Sequence, residues 1–111
     1  MVLNRKPTPQ EEKVLEFLIK KASVLFQSNW KEDLLVQPME DGAMGSLVLI
    51  PKDQIGKHRS FGKQVSEFQF VDEDGVDVIL SLNIDDQGNL FELDVWKTDF
   101  SKLIKWPSIN F

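Results

Sequence analysis

The hydrophobic period of this chain changes once, and that change restricts it to a helix followed by a sheet. Val14, Leu15, Leu18, Ile19, Ala22, Leu25 and Phe26 recur at spacings of three and four, while Glu12, Lys13, Glu16, Lys20, Lys21 and Ser23 fall mainly elsewhere on the helical wheel. From Leu34 onward the period becomes two, and β-branched and aromatic residues alternate between Gly and Asp clusters. Thr8, Pro9, Gln10 and Glu11 have the form of a helix start: Thr8 can accept the orphan amide three residues on, Pro9 is preset for the first helical position, and Glu11 completes a capping box. The pattern predicts one amphipathic helix over 9–27 and strands over 34–39, 46–51, 65–71, 76–84 and 90–97. Residues 52–63 lack an apolar period and read as a loop. Thr98, Asp99, Phe100 and Ser101 read as another capped turn, leading into a short helical segment with Leu103, Ile104 and Trp106, ended by Pro107. The apolar tail, Ser108 to Phe111, reads as a docked terminus.

Turn chemistry allows the sheet register to be tested. A four-residue loop over 85–88 sets Leu82 opposite Phe91, Leu80 opposite Leu93 and Val78 opposite Val95, so each pair is apolar on both sides. On the other face it pairs Ser81 with Glu92, Ile79 with Asp94 and Asp77 with Trp96. For the preceding hairpin, a loop over 72–74 with Gly75 as a left-handed bulge sets Phe70 opposite Val76 and Phe68 opposite Val78. Both turns then agree on one inner face of Phe68, Phe70, Val76, Val78, Leu80, Leu82, Phe91, Leu93 and Val95, for which the helix is the natural lid. The expected fold is α+β, an N-terminal helix on an antiparallel meander of about five strands, in a single domain over 1–111.

Composition excludes several functions. A chain of 111 residues has room for one core, and eight Phe with three Trp argue against a disordered polyanion. The absence of cysteine removes disulfides, thiolate metal sites and Cys nucleophiles. The lone histidine, His58, lies between Lys57 and Arg59, where an exposed side chain is the simpler reading than a catalytic one. The glycine pairs at 42–45 and 56–62 lack phosphate-loop spacing. In the run Asp72, Glu73, Asp74, Gly75 the glycine comes too early for a calcium loop. The expectation is therefore a protein that is not an enzyme, with no cofactor and no metal. The start of the chain is charged from Arg5 onward, and no apolar run approaches the roughly 20 residues that span a bilayer, so the expected location is the cytoplasm, with no membrane partner.

Charge layout says more than any motif. The net charge of -5 conceals a basic stretch, 52–63, with Lys52, Lys57, Arg59 and Lys63 against Asp53. It also conceals an acidic half, 65–99, with ten acids against Lys97. Part of this is ordinary turn and surface chemistry. The register nevertheless places Glu67, Asp77, Glu92 and Asp94 on one outer face with Ile79, Ser81 and Trp96. Large apolar groups ringed by charge resemble an interface, where Trp is an enriched anchor and the acidic field speeds encounter with a basic partner. Such a face repels phosphates, so nucleic acid is not an expected partner.

The run Asn89, Leu90, Phe91, Glu92, Leu93, Asp94, Val95, Trp96, Lys97, followed by Asp99, Phe100, Ser101 and by Trp106 with Pro107, resembles the C-terminal signature of a family of small bacterial proteins of unknown function. Residues 41–47 and 74–76 are similar to its earlier parts. In size and acidity the chain also resembles immunity proteins that neutralise toxic nuclease domains. That resemblance implies a protein-binding module whose partner is a basic toxin domain, met by Glu67, Asp72, Glu73, Asp74, Asp77, Ile79, Asp85, Asp86, Glu92, Asp94 and Trp96. A competing reading is a small ligand-binding or enzyme-like domain, with a pocket between helix and sheet lined by Asn83, Ser81 or His58. The protein is expected to be a monomer or a small homo-oligomer, the latter built on an exposed apolar patch that includes Trp30 and the C-terminal tail.

Overall fold

The computed structural model describes residues 4–108. Helix α1 spans Pro9–Lys21, and its start is the capping box expected from the sequence. Thr8 Oγ1 accepts the Glu11 amide at 3.1 Å and a Glu11 carboxylate oxygen accepts the Thr8 amide at 2.8 Å. Arg5 adds a two-pronged contact to the same carboxylate at 2.8 and 3.0 Å. Burial pushes the Glu11 carboxyl up, but Arg5 and the Thr8 amide outweigh it, leaving the group below its ordinary range.

The helix ends six residues earlier than its apolar spacing predicts. Ala22 is already extended, and the Ser23 amide donates to the Val65 carbonyl at 2.9 Å. The chain thus exchanges helical hydrogen bonds for the edge of a strand, and Val24 and Phe26 reach the core from an irregular segment. Leu25, read as part of the stripe, is fully exposed.

Five strands follow: β1 Leu35–Pro38, β2 Leu47–Ile50, β3 Phe61–Val71, β4 Asp77–Asp85 and β5 Leu90–Lys97. They form one antiparallel sheet in the order β1-β2-β5-β4-β3. The last three strands make a meander, and the β1-β2 hairpin attaches to β5 rather than to β3. The outer edge of β1 is closed by Arg5, whose backbone exchanges two hydrogen bonds with Val36 at 2.9 and 2.7 Å. A short 3-10 turn, Lys52–Gln54, opens the connection to β3, which starts at Phe61, earlier than its period reveals. Two bulges hide that period: register slips at Gly62 and at Val65. Gly62 is required by space, since a Cβ there would stand 2.2 Å from the Asp85 carbonyl oxygen.

Both meander registers lie two residues from those expected. Val78 faces Phe70 and Lys97, and Leu80 faces Phe68 and Val95. In the β3-β4 hairpin the turn supplies both residues of the shift, and in the β4-β5 hairpin the turn supplies one and a bulge at Phe91 the other. Asp72 pairs with Val76 and Asp85 with Asn89, each closing a three-residue loop with glycine at positive φ, 81° for Gly75 and 88° for Gly88. A slip of two preserves alternation, so the two faces keep the residues assigned to them. Phe91 is the exception. It is the extra residue of a bulge, so Leu82 faces Leu93 in its place.

Val78, Leu80, Leu82, Leu93 and Val95 are buried, with Phe68 and Phe70 half-buried beside them. Val14, Leu15 and Leu18 of α1 close over this face, and Phe17 meets Phe68 edge-on at 4.9 Å. No helix forms in the described residues beyond β5, contrary to expectation. The amides of Ile104 and Lys105 instead donate to Asp72 at 2.8 and 3.1 Å, and Leu103 donates to the Ala43 carbonyl. Backbone donors spent in this way cannot build a helical turn. The segment packs Leu103 and Trp106 against the core, with Trp106 seated over Gly45. The expected docking of the tail falls partly on residues 109–111, outside the described residues.

Candidate protein-docking face

Because α1 packs on one face of the sheet, the other carries the side chains that the alternation sends outward. Glu67 and Asp77 are exposed there, and Ile79 is half-buried directly opposite Trp96. Ser81 stands opposite Asp94, and Asn83 opposite Glu92. Trp96 is 49% exposed. Its ring lies 6.5 Å from that of Phe100, itself 70% exposed. Phe100 has a φ of 63°, a left-handed conformation that a bulky side chain seldom adopts, and its amide is held by the Lys97 carbonyl at 2.8 Å. Through residue 108 the C-terminal segment leaves Trp96 half-exposed.

Glu92 and Asp94 form a carboxyl pair at the centre of this face. Asn83 Nδ2 donates to Asp94 at 2.7 Å, and the two carboxyls lie close enough that one, when protonated, can donate to the other. Neither makes an ion pair among the described residues. Partial burial, the Asp94 charge and hydrogen bonding to Asp94 hold Glu92 above its ordinary range, with Arg59 opposing from a distance. Partial burial likewise raises Asp94, against the hydrogen bonds from Asn83 and Glu92 and with the help of the Asp41 charge. These are acids placed together with no cation in ion-pair contact among the described residues.

Two expected members of the docking set are not on the surface. Asp72 is buried, and its carboxylate accepts Lys97 Nζ at 2.9 Å besides three backbone amides. Burial raises its pKa, but these donors overcome that and leave it at about 2. Asp85 is also buried, capping its own turn through the amides of Gln87 and Asn89 and pairing with Arg59 at 3.2 Å. A short acidic side chain at a hairpin corner folds back on the amides of its turn, so composition could not distinguish these two from free carboxylates. Asp74 is exposed but holds Lys97 Nζ at 2.6 Å, whereas Glu73 and Asp86 are exposed turn residues. The two turns lie at opposite ends of β4, roughly 30 Å apart for nine residues of strand.

Two cations were missed as structural elements. Lys97 continues the inward alternation of β5 and is wholly buried; its third acceptor is the Lys102 carbonyl at 2.9 Å. The signal was available in its odd-numbered position after Leu93 and Val95. Arg59, counted with the basic loop, is inserted between strands: it donates to the carbonyls of Leu49 at 2.6 Å and Leu90 at 2.8 Å and sits 5.1 Å above the Phe91 ring. Nothing in the local sequence distinguishes it from Lys57 or Lys63.

Among the described residues the space considered for a pocket between helix and sheet is occupied by core side chains. Val14, Leu15 and Leu18 fill that space, Ser81 and Asn83 lie on the other face, and His58 is exposed in the loop. An open groove of about 860 Å³ lies elsewhere, between the segment carrying Phe26 and Trp30 and the β4-β5 turn.

The fold and this face together define a two-layer α+β module with an open, acidic, tryptophan-bearing sheet. The chain belongs to the family described as a domain of unknown function, DUF6984, which it matches over residues 4–107. No curated protein and no solved structure matches it. Among the described residues no helix is long and apolar enough to cross a membrane.

Proposed function

We propose that this chain is a non-catalytic protein-binding module whose outer sheet face docks on a basic partner, in its most concrete form a cytoplasmic immunity protein that neutralises a nuclease-type toxin domain. The observation that carries the reading is Trp96, half-exposed on the face away from α1 and set among Asp77, Glu92 and Asp94. Trp supplies contact area at small entropic cost, and the acids supply steering toward positive charge. A nuclease domain is a natural positive surface, since it must attract phosphates. Asp72 and Asp85 have no part in this contact, because both carboxylates are committed inside the fold.

The test uses a basic nuclease-type toxin domain that the wild-type protein inhibits, and a double charge reversal at two exposed positions, Glu67→Lys with Asp77→Lys. Association measured by stopped flow should slow at least tenfold at low salt, with circular dichroism unchanged and toxin activity restored. Association at the wild-type rate would remove the outer face from the interface.

A further inference from the structure

We infer, resting on the protein-binding reading above, that the outer face contains a receptor for one arginine side chain of the partner, formed by the Trp96–Phe100 aromatic pair and the Glu92–Asp94 carboxyl pair. The placement follows from strand geometry. Glu92, Asp94 and Trp96 alternate outward along β5, so neighbouring side chains in this row are about 7 Å apart. A guanidinium lying over the Trp96 ring can therefore reach the Asp94 carboxylate with one edge, and Glu92 stands next in line. Such a cation satisfies two needs at once. Its plane covers aromatic surface that is now wet, and its N–H groups meet neighbouring carboxylates that make no ion pair among the described residues, with Arg59 acting on Glu92 only from a distance.

The chemistry selects arginine over other ligands. A phosphate or carboxylate is repelled by the pair. Lysine offers one compact, strongly hydrated charge, whereas the flat guanidinium both stacks on an aromatic ring and donates along two edges. Asn83 supports the receptor by holding Asp94 at 2.7 Å, and the opposite neighbour of Trp96 is Ile79, an apolar floor rather than a competing base. Phe100 is the least expected element. Its left-handed backbone presents an exposed aromatic ring beside Trp96, where glycine would fit the backbone better.

The experiment titrates the intact protein with the peptide acetyl-Arg-Ser-Arg-Ser-Arg-Ser-amide and with its lysine and citrulline counterparts. The readout is the indole N–H resonance of Trp96, assigned from Trp96→Phe. The arginine peptide should shift that resonance saturably, the lysine peptide should bind several-fold more weakly, and the uncharged citrulline peptide at least tenfold more weakly. Glu92→Gln and Phe100→Gly should each weaken the arginine peptide fivefold or more while leaving the thermal midpoint unchanged or higher, which separates lost recognition from lost folding. Equal binding of the citrulline peptide, an unmoved Trp96 resonance, or full affinity in Glu92→Gln would overturn the receptor. Any of these results leaves the broader reading to its own test, because Glu67 and Asp77 lie outside the receptor and their reversal reports on docking of a whole partner.

Discussion

Arg59→Ala should destabilise the fold far more than a loop residue of ordinary type. The β2-β5 ladder pairs only Leu47 with Leu93 and Val48 with Glu92, after which the strands part. The Arg59 guanidinium fills that gap, taking the Leu49 and Leu90 carbonyls and the Asp85 carboxylate, with its side chain 8% exposed. Hydrogen bonds to a charged group contribute about 1.5–3 kcal/mol each, and removing one partner of a buried pair costs about 3–5 kcal/mol. Asp85 keeps the amides of Gln87 and Asn89, which offsets part of this. The expected loss is therefore about 3 kcal/mol, a large share of a stability on the order of 10 kcal/mol for a chain of this size. Urea unfolding followed by tryptophan fluorescence measures it, and the midpoint of thermal unfolding should fall by about 15 °C. Arg59→Lys should lose about half as much, because one ammonium cannot serve three separated acceptors. A loss below about 1 kcal/mol in Arg59→Ala would show that the clasp is replaceable by solvent, and the account of how β2 is held to β5 would fail.

Acid should act on the two kinds of carboxylate with opposite sign. Asp72 has a folded pKa of about 2, below the unfolded value near 4, so its stabilisation is present above that unfolded value and is lost as pH falls from about 4 toward 2. Asp72→Asn should flatten the stability curve through that window, measured by urea unfolding at successive pH values. Glu92 is raised, so its proton favours the folded state at low pH and that contribution disappears as pH rises through the raised pKa. Glu92→Gln should accordingly lift the thermal midpoint at pH 7 and change it little at pH 4; a lower midpoint at pH 7 would contradict the raised carboxyl. Gly62→Ala drives a Cβ into the backbone at Asp85 and should cost about 2–3 kcal/mol, read from the same unfolding curves.

The sequence by itself determined the order of α1 and the five strands, the start of α1, the residue set of each sheet face apart from Phe91, and the presence of an acidic face bearing Trp96. These depend on local quantities, a capping box and two periodicities, and alternation survives even a register slip of two. Tertiary structure decided whatever depends on a distant partner. Helix α1 stops at Lys21 because the Ser23 amide finds β3, and the described residues beyond β5 form no helix because Asp72 takes the amides of Ile104 and Lys105. The fate of each charge was settled in the same way. Asp72, Asp85, Lys97 and Arg59 look like surface residues in the sequence and are buried partners in the fold, whereas Glu92 and Asp94 lie together and make no ion pair among the described residues. A charge declares only its sign in a sequence; whether it steers a partner or clasps a strand depends on which group the folded chain places opposite it.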